Sequence, residues 1–235
     1  MKYLFLEFRL IKEDILKLLI VIILIPILST VVYLQNNLVE NGWVLTDAMS
    51  LLFGSVQNYK MNWIYWIFFC FGYVILNQIL WKPRLKYFEY NLLILQQNIT
   101  LFWINKLIMG FVFTLIYISA SFFIAICGFN IYKVNLHLGS LIFLQFLFIV
   151  VNFYLHSIIW VFLRMFISTN IANLTILTLF YVSVNIPKIY LPLYFSMIDN
   201  FTGKNMLILT FISEFLLIFV LGYLILMKGK LKDYY

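Results

Sequence analysis

Long apolar runs, set apart by short polar stretches, repeat along this chain. Six can be marked off: Ile15 to Leu34, Trp63 to Trp81, Leu107 to Cys127, Gly139 to Leu163, Asn170 to Ile186 and Met206 to Met227. A helix needs about 20 predominantly apolar residues to cross a hydrocarbon core of about 30 Å, so each run predicts a membrane-spanning helix. Ahead of the first, residues 2–14 carry Tyr3, Leu4, Phe8 and Ile11 at helical spacing, with Lys2, Glu7, Arg9, Lys12 and Glu13 mostly on the other side. That pattern predicts an interfacial helix lying on the membrane. Pro26 predicts a kink in the first span, because proline removes a helix donor and its ring crowds the preceding turn. Ser119, Ala120 and Ser121 are small enough to let helices approach closely in the third.

The connections are unequal. Gln35 to Asn62 is a long outer loop whose apolar middle, Ala48 to Val56, is expected to dip into the outer interface. Gly128 to Leu138 reads as a short outer loop and Arg164 to Thr169 as a tight inner turn. Pro187 to Asn205 places Pro187, Pro192 and Gly203 among aromatic and apolar residues, which predicts a broken or re-entrant outer element. The expected fold is an all-α membrane domain of six spans covering residues 1–235.

Composition sharpens this class. The chain is 65% hydrophobic and only 11% charged, too little charge to cover a soluble domain of this size. A net charge of +7 would suggest nucleic acid in a soluble protein, but here the cations follow the membrane. With both termini inside, the inner segments hold Lys2, Arg9, Lys12, Lys17, Lys82, Arg84, Lys86, Lys106, Arg164, Lys228, Lys230 and Lys232. The outer segments hold only Lys60, Lys133, Lys188 and Lys204, and this asymmetry predicts cytoplasmic termini and no nucleic-acid partner. Cys70 and Cys127 fall in or beside apolar runs and read as packing residues rather than a disulfide framework. The first apolar run is too long for a cleavable signal peptide and lacks a small-residue cleavage site. Heavy use of Ile, Asn, Lys, Phe and Tyr is associated with AT-rich bacterial genomes, so the expected location is a bacterial plasma membrane.

Between the second and third runs lies Lys82 to Lys106, a polar interruption carrying several cations. Leu85, Phe88, Leu92, Leu95, Ile99 and Phe102 recur there at spacings of three and four, while Lys86, Glu89, Gln96 and Gln97 lie mostly off that stripe. Asn98-Ile99-Thr100 predicts a break, with Thr100 capping a second short helix that runs through Lys106 into the third span. Alone, the stretch fits a surface loop that anchors two spans as well as it fits a docking element.

The whole layout resembles the membrane subunits of type-2 ATP-binding-cassette transporters. The resemblance covers nearly the full length and is mostly architectural. In that family the segment between the second and third spans is a cytoplasmic coupling helix, commonly a Leu-Leu pair, a break, and a Lys at the start of the third span. Leu92-Leu93, Gln96-Gln97-Asn98 and Lys106 follow that order, but the usual proline at the break is absent and Tyr90-Asn91 replaces the usual Gly-Thr. The resemblance implies a two-subunit permease, homodimeric or paired with a sister chain, docked on a dimer of cytosolic ATPases. Leu85, Phe88, Glu89, Leu92, Leu93, Leu95 and Gln96 would be the coupling residues. It also implies that ATP and magnesium belong to the partner ATPase, and that amphipathic or antimicrobial peptides are exported, for secretion or for producer immunity. The chain itself lacks a phosphate-binding loop. Gly203-Lys204 is followed by Asn205 and Gly229-Lys230 by Leu231, without the Ser or Thr that a magnesium site needs. No cofactor, metal or catalytic residue is expected in this chain.

Polar residues inside the spans are the remaining candidates. Glu214 in the sixth span is costly in hydrocarbon, so it should face the bundle interior, a cavity or a partner. It reads either as a translocation-path residue or as a structural hydrogen-bonding group. His156, in the inner half of the fourth span, has Asn152 one helical turn earlier and no second histidine within reach, since His137 lies at the outer end. Structure and packing explain it better than metal ligation. Asn77, Gln78, Gln145 and Asn185 are further candidates for interhelical hydrogen bonds. An intramembrane hydrolase would need paired carboxylates or a Ser-His pair at one depth, whereas Glu214 and His156 are separated by roughly 10 Å along the membrane normal at 1.5 Å per residue. A stand-alone immunity or binding protein, with no ATPase, is the third reading.

Overall fold

The computed structural model describes residues 12–36, 43–57, 62–81, 99–131, 134, 139–186, 192–200 and 204–231. These form an all-helical bundle with five helices long and apolar enough to cross a membrane. The first, α1, runs through Ile15–Leu19, a π-helical turn Ile20–Leu24, and Ile25–Asn36. Pro26 follows directly on that π turn, the local widening expected where a ring crowds the preceding carbonyls. Short helix α2 is Leu45–Phe53, and α3 is Asn62–Leu80. Next come α4 at Ile99–Ile131, α5 at Ser140–Arg164, α6 at Thr169–Asn185 and α7 at Lys204–Leu231. At 17 residues, α6 is the shortest of the long helices and falls outside the five.

Helix α5 is the hub. It packs against α4, α6 and α7, while α1 closes the other side on α3 and α4. Close approaches between the long helices occur at glycines. A Cβ on Gly72 of α3 would lie 2.6 Å from Tyr117 Oη and 2.8 Å from Ile25 Cγ2, so α1, α3 and α4 meet there only because the side chain is missing. A Cβ on Gly110 of α4 would lie 2.8 Å from the Trp81 ring. In the Ser119 to Ser121 stretch, Ser121 is buried and bonds the Tyr117 carbonyl of its own helix at 2.8 Å.

Several expectations are corrected. Ala48 to Phe53 is a packed helix rather than an exposed loop: Leu45, Ala48, Met49, Leu52 and Phe53 of α2 are fully buried. Phe53 sits in an aromatic cluster, with ring centroids 5.1 Å from Tyr65, 5.5 Å from Phe69 and 4.7 Å from Phe122. The carbonyls that α2 leaves unpaired at its C-terminal end are met by side chains. Gln145 Nε2 donates to the Phe53 carbonyl at 3.0 Å, Asn62 Nδ2 to Ser50 at 3.3 Å, and Trp66 Nε1 to Gly54 at 3.2 Å. Burial without water requires those partners. Thr100 lies inside α4 rather than capping it, so residues from Ile99 through Lys106 continue into the third span as one helix. The segment before α7 is broken, as two 3-10 turns at Pro192–Ser196 and Ile198–Asn200, with Leu193 and Met197 fully buried. Asp199 Oδ2 accepts from the Ser55 backbone N–H at 2.8 Å and ties this segment to the end of α2. Of the interfacial helix, only Lys12–Asp14 lies among the described residues, as a 3-10 turn.

Candidate functional site

Glu214, Asn152 and His156 form one chain of contacts. The α5–α7 crossing puts Asn152 opposite Glu214, and Asn152 Nδ2 donates to Glu214 Oε1 at 3.0 Å. Both residues are fully buried. Four residues along α5, His156 Nδ1 donates back to the Asn152 carbonyl at 2.8 Å. The imidazole stacks on Phe180 of α6 with centroids 4.1 Å apart and planes at 15°. Helical periodicity explains the alignment, because residues four apart lie on one face.

This geometry leaves valences open. Glu214 Oε2 and Asn152 Oδ1 are buried and accept no hydrogen bond from the described residues. Asn152 Oδ1 is an acceptor, whereas Glu214 Oε2 accepts as a carboxylate and donates as a neutral acid, so a donor or a cation suits the ionised form. An ionisable side chain buried inside a bundle is costly, which makes Glu214 a candidate functional residue. His156, held by a backbone carbonyl and a ring face, is positioned more tightly than Glu214. Among the described residues no three His, Cys, Asp or Glu side chains gather as a metal set.

A second polar seam joins α3, α5 and α6 towards the end of the bundle where α3 and α5 end. Ser157 Oγ donates to Asn77 Oδ1 at 2.8 Å, and Trp81 Nε1 reaches Ser157 Oγ at 3.4 Å. Trp160 Nε1 donates to Asn173 Oδ1 at 2.7 Å, and Asn173 Nδ2 to Gln78 Oε1 at 3.1 Å. Between α3 and α4, Tyr73 Oη and Thr114 Oγ1 share a hydrogen bond of 2.7 Å. Asn77, Gln78 and Gln145 thus make contacts between elements, as their place in apolar runs suggests. Asn185 does not: its Nδ2 donates to the Tyr181 carbonyl one turn back on the same helix. Sequence reasoning passed over Ser157, Asn173 and Thr114, since small polar residues are frequent in spans and only their partners mark them out. The Trp81 indole, at the end of its apolar run, is engaged within the protein.

The coupling candidates Leu85, Phe88, Glu89, Leu92, Leu93, Leu95 and Gln96 lie outside the described residues. Cys70 is buried and Cys127 exposed, and both are free thiols. No protein-family model matches this chain, and neither the curated proteins nor the solved structures provide a match.

Proposed function

We propose that this chain is a six-span permease subunit of an ATP-driven exporter, with both termini cytoplasmic and ATP hydrolysed by a separate ATPase. The observation that carries the transport reading is the buried Asn152–Glu214 pair, with acceptors left open where α5 and α7 cross. An intramembrane carboxylate of this kind suits a cationic or hydrogen-bond-donating cargo, and amphipathic peptides with basic residues fit that chemistry. The broken 3-10 segment before α7 supports the reading, since a broken element before the last span belongs to the layout of the transporter subunits this sequence resembles. In this reading α6 is the fifth of the six spans, since 17 residues is the lower limit of what crosses a bilayer. The concentration of cations on one side sets the orientation. The ATPase dimer would dock on the stripe containing Leu92 and Leu93.

Purification of the intact chain from its host membrane in mild detergent tests this directly. A cytosolic ATPase recovered in stoichiometric amount is the expected result, and Leu92→Glu should abolish its recovery while leaving membrane insertion intact. An abundant, intact chain recovered alone would favour the stand-alone immunity protein instead.

A further inference from the structure

At the end of the bundle where α1 begins, α3 ends, α5 ends and α6 begins, the helices do not close on one another. They leave a cavity of about 380 Å³ lined by Asp14, Lys17, Ile75, Gln78, Ile79, Trp81, Trp160, Arg164 and Thr169. Its chemistry is uneven. Two cations and one carboxylate give a net positive lining, and Lys17 Nζ already holds Asp14 Oδ1 at 2.9 Å. Arg164 makes no ion pair with any described residue, and its guanidinium carbon lies 5.7 Å from the centroid of the Trp160 ring. Both indole N–H groups on the wall are engaged elsewhere, Trp81 with Ser157 and Trp160 with Asn173, so the rings offer apolar faces. Gln78 accepts from Asn173 through its carbonyl oxygen, which leaves its NH2 as the donating end.

The start of α6 adds to this field. Ser168 is its N-cap residue but makes no side-chain capping bond, and the first intrahelical donor is the Ala172 N–H, to the Ser168 carbonyl at 3.0 Å. The backbone N–H groups of Thr169, Asn170 and Ile171 therefore stand without helix partners at the positive end of a 17-residue helix, and Thr169 lines the cavity. Ile75 and Ile79 form its apolar wall, and Ile20, three residues on from Lys17 and so on the same side of α1, is exposed next to it.

We propose that this cavity binds the phosphate of an anionic phospholipid, with the headgroup on Arg164, Lys17 and the α6 N-terminus and the acyl chains along α1. A phosphodiester supplies the acceptor oxygens that these donors lack. Apolar walls together with exposed apolar helix surface match a lipid better than a free anion. Arg164, without an ion pair among the described residues, is the main anchor and Lys17, already paired, is the lesser one. Assigning the site to the inner leaflet rests on the charge asymmetry and is independent of whether the chain transports anything.

The test is native mass spectrometry of the delipidated full-length protein in detergent. It is titrated separately with dioleoyl-phosphatidylglycerol, dioleoyl-phosphatidylcholine and inorganic phosphate. The expected result is one phosphatidylglycerol retained in preference to phosphatidylcholine, with Arg164→Gln weakening retention about fivefold, the contribution of one basic residue near an anionic lipid surface. Arg164→Lys should recover most of that loss, and Lys106→Gln, a cation on the same side but outside the cavity, should leave retention unchanged. If Arg164→Gln fails to fold, the exposed Lys17→Gln serves in its place with a smaller loss. Equal retention of the two lipids overturns the proposal, as does an equal effect of Lys106→Gln. Displacement of the lipid by inorganic phosphate at matched concentration would overturn the lipid assignment and make this a free-anion site.

Discussion

Helices α5 and α7 are almost equally hydrophobic, with mean hydropathies of 2.2 and 2.4 over their spans, yet 67% of the first is buried in the bundle and only 17% of the second. In lipid, apolar surface gains little by moving from acyl chains to protein, so hydropathy does not decide which helix is central. What differs is the polar content that must be satisfied. Helix α5 carries Gln145, Asn152, His156 and Ser157, all buried and all bonded to another element or to its own backbone. Helix α7 has buried polar residues at Thr210, which bonds its own Met206 carbonyl, and at Glu214, which meets Asn152. Its long apolar residues face outward, with Phe219 74% exposed. A helix is drawn to the centre by groups that lipid cannot satisfy, and α7 is held at the one point where it has such a partner.

The comparison can be broken first by truncating matched aromatics. Phe153→Ala in α5 should destabilise the protein by about 3 kcal/mol, the lower end of the range for core aromatics because only packing and cavity terms are lost in lipid. Phe153 contacts Phe69, Tyr73 and Phe180, with centroids at 4.9, 4.8 and 5.0 Å, so its loss opens the middle of the bundle. Denaturant unfolding in mixed micelles measures it, and an effect under about 1 kcal/mol would contradict α5 as the packed hub.

Removing the polar tie comes next. Asn152→Leu leaves Glu214 buried without its one donor and should cost about 1–3 kcal/mol, whereas Asn152→Leu combined with Glu214→Gln should cost less than the sum of the two single changes. A double-mutant cycle by the same unfolding assay reads the coupling. Strict additivity would mean that the pair contributes nothing to holding α7.

The glycines give a smaller and cleaner contrast. Gly72→Ala forces a Cβ against Tyr117 and Ile25 and should destabilise by about 1–2 kcal/mol. Gly222→Ala in α7 meets nothing within 4 Å and should be neutral or slightly stabilising, through the better helix propensity of alanine. Thermal unfolding of the two variants side by side decides it, and equal effects would erase the distinction between packed and lipid-facing glycines.

The smallest effect expected is Phe219→Ala on the outer face of α7, within about 0.5 kcal/mol of the parent. A large loss there would reveal a protein partner covering that face, such as the second permease subunit.

Much of the architecture was legible because its cause is local. Each long helix is an unbroken apolar run, and the π turn next to Pro26 and the broken segment around Pro192 follow from proline's missing N–H. The burial of Glu214 followed from the cost of a carboxyl in hydrocarbon. Its partner did not follow, because pairing with Asn152 depends on how α7 is rotated and at what height it crosses α5. Residues Ala48 to Phe53 show the same limit. Apolar composition there fits an interfacial dip and a buried helix alike, and only Gln145, Asn62 and Trp66, from helices α3 and α5, supply the donors that make burial possible. The sequence by itself determined that this is a multi-helix membrane protein and along which stretches its long helices run, since hydrophobic periodicity acts along the chain. The tertiary structure alone decided which helix is central, which polar groups meet, and that four helix ends leave a basic cavity open, since each of these depends on residues brought together from distant parts of the chain.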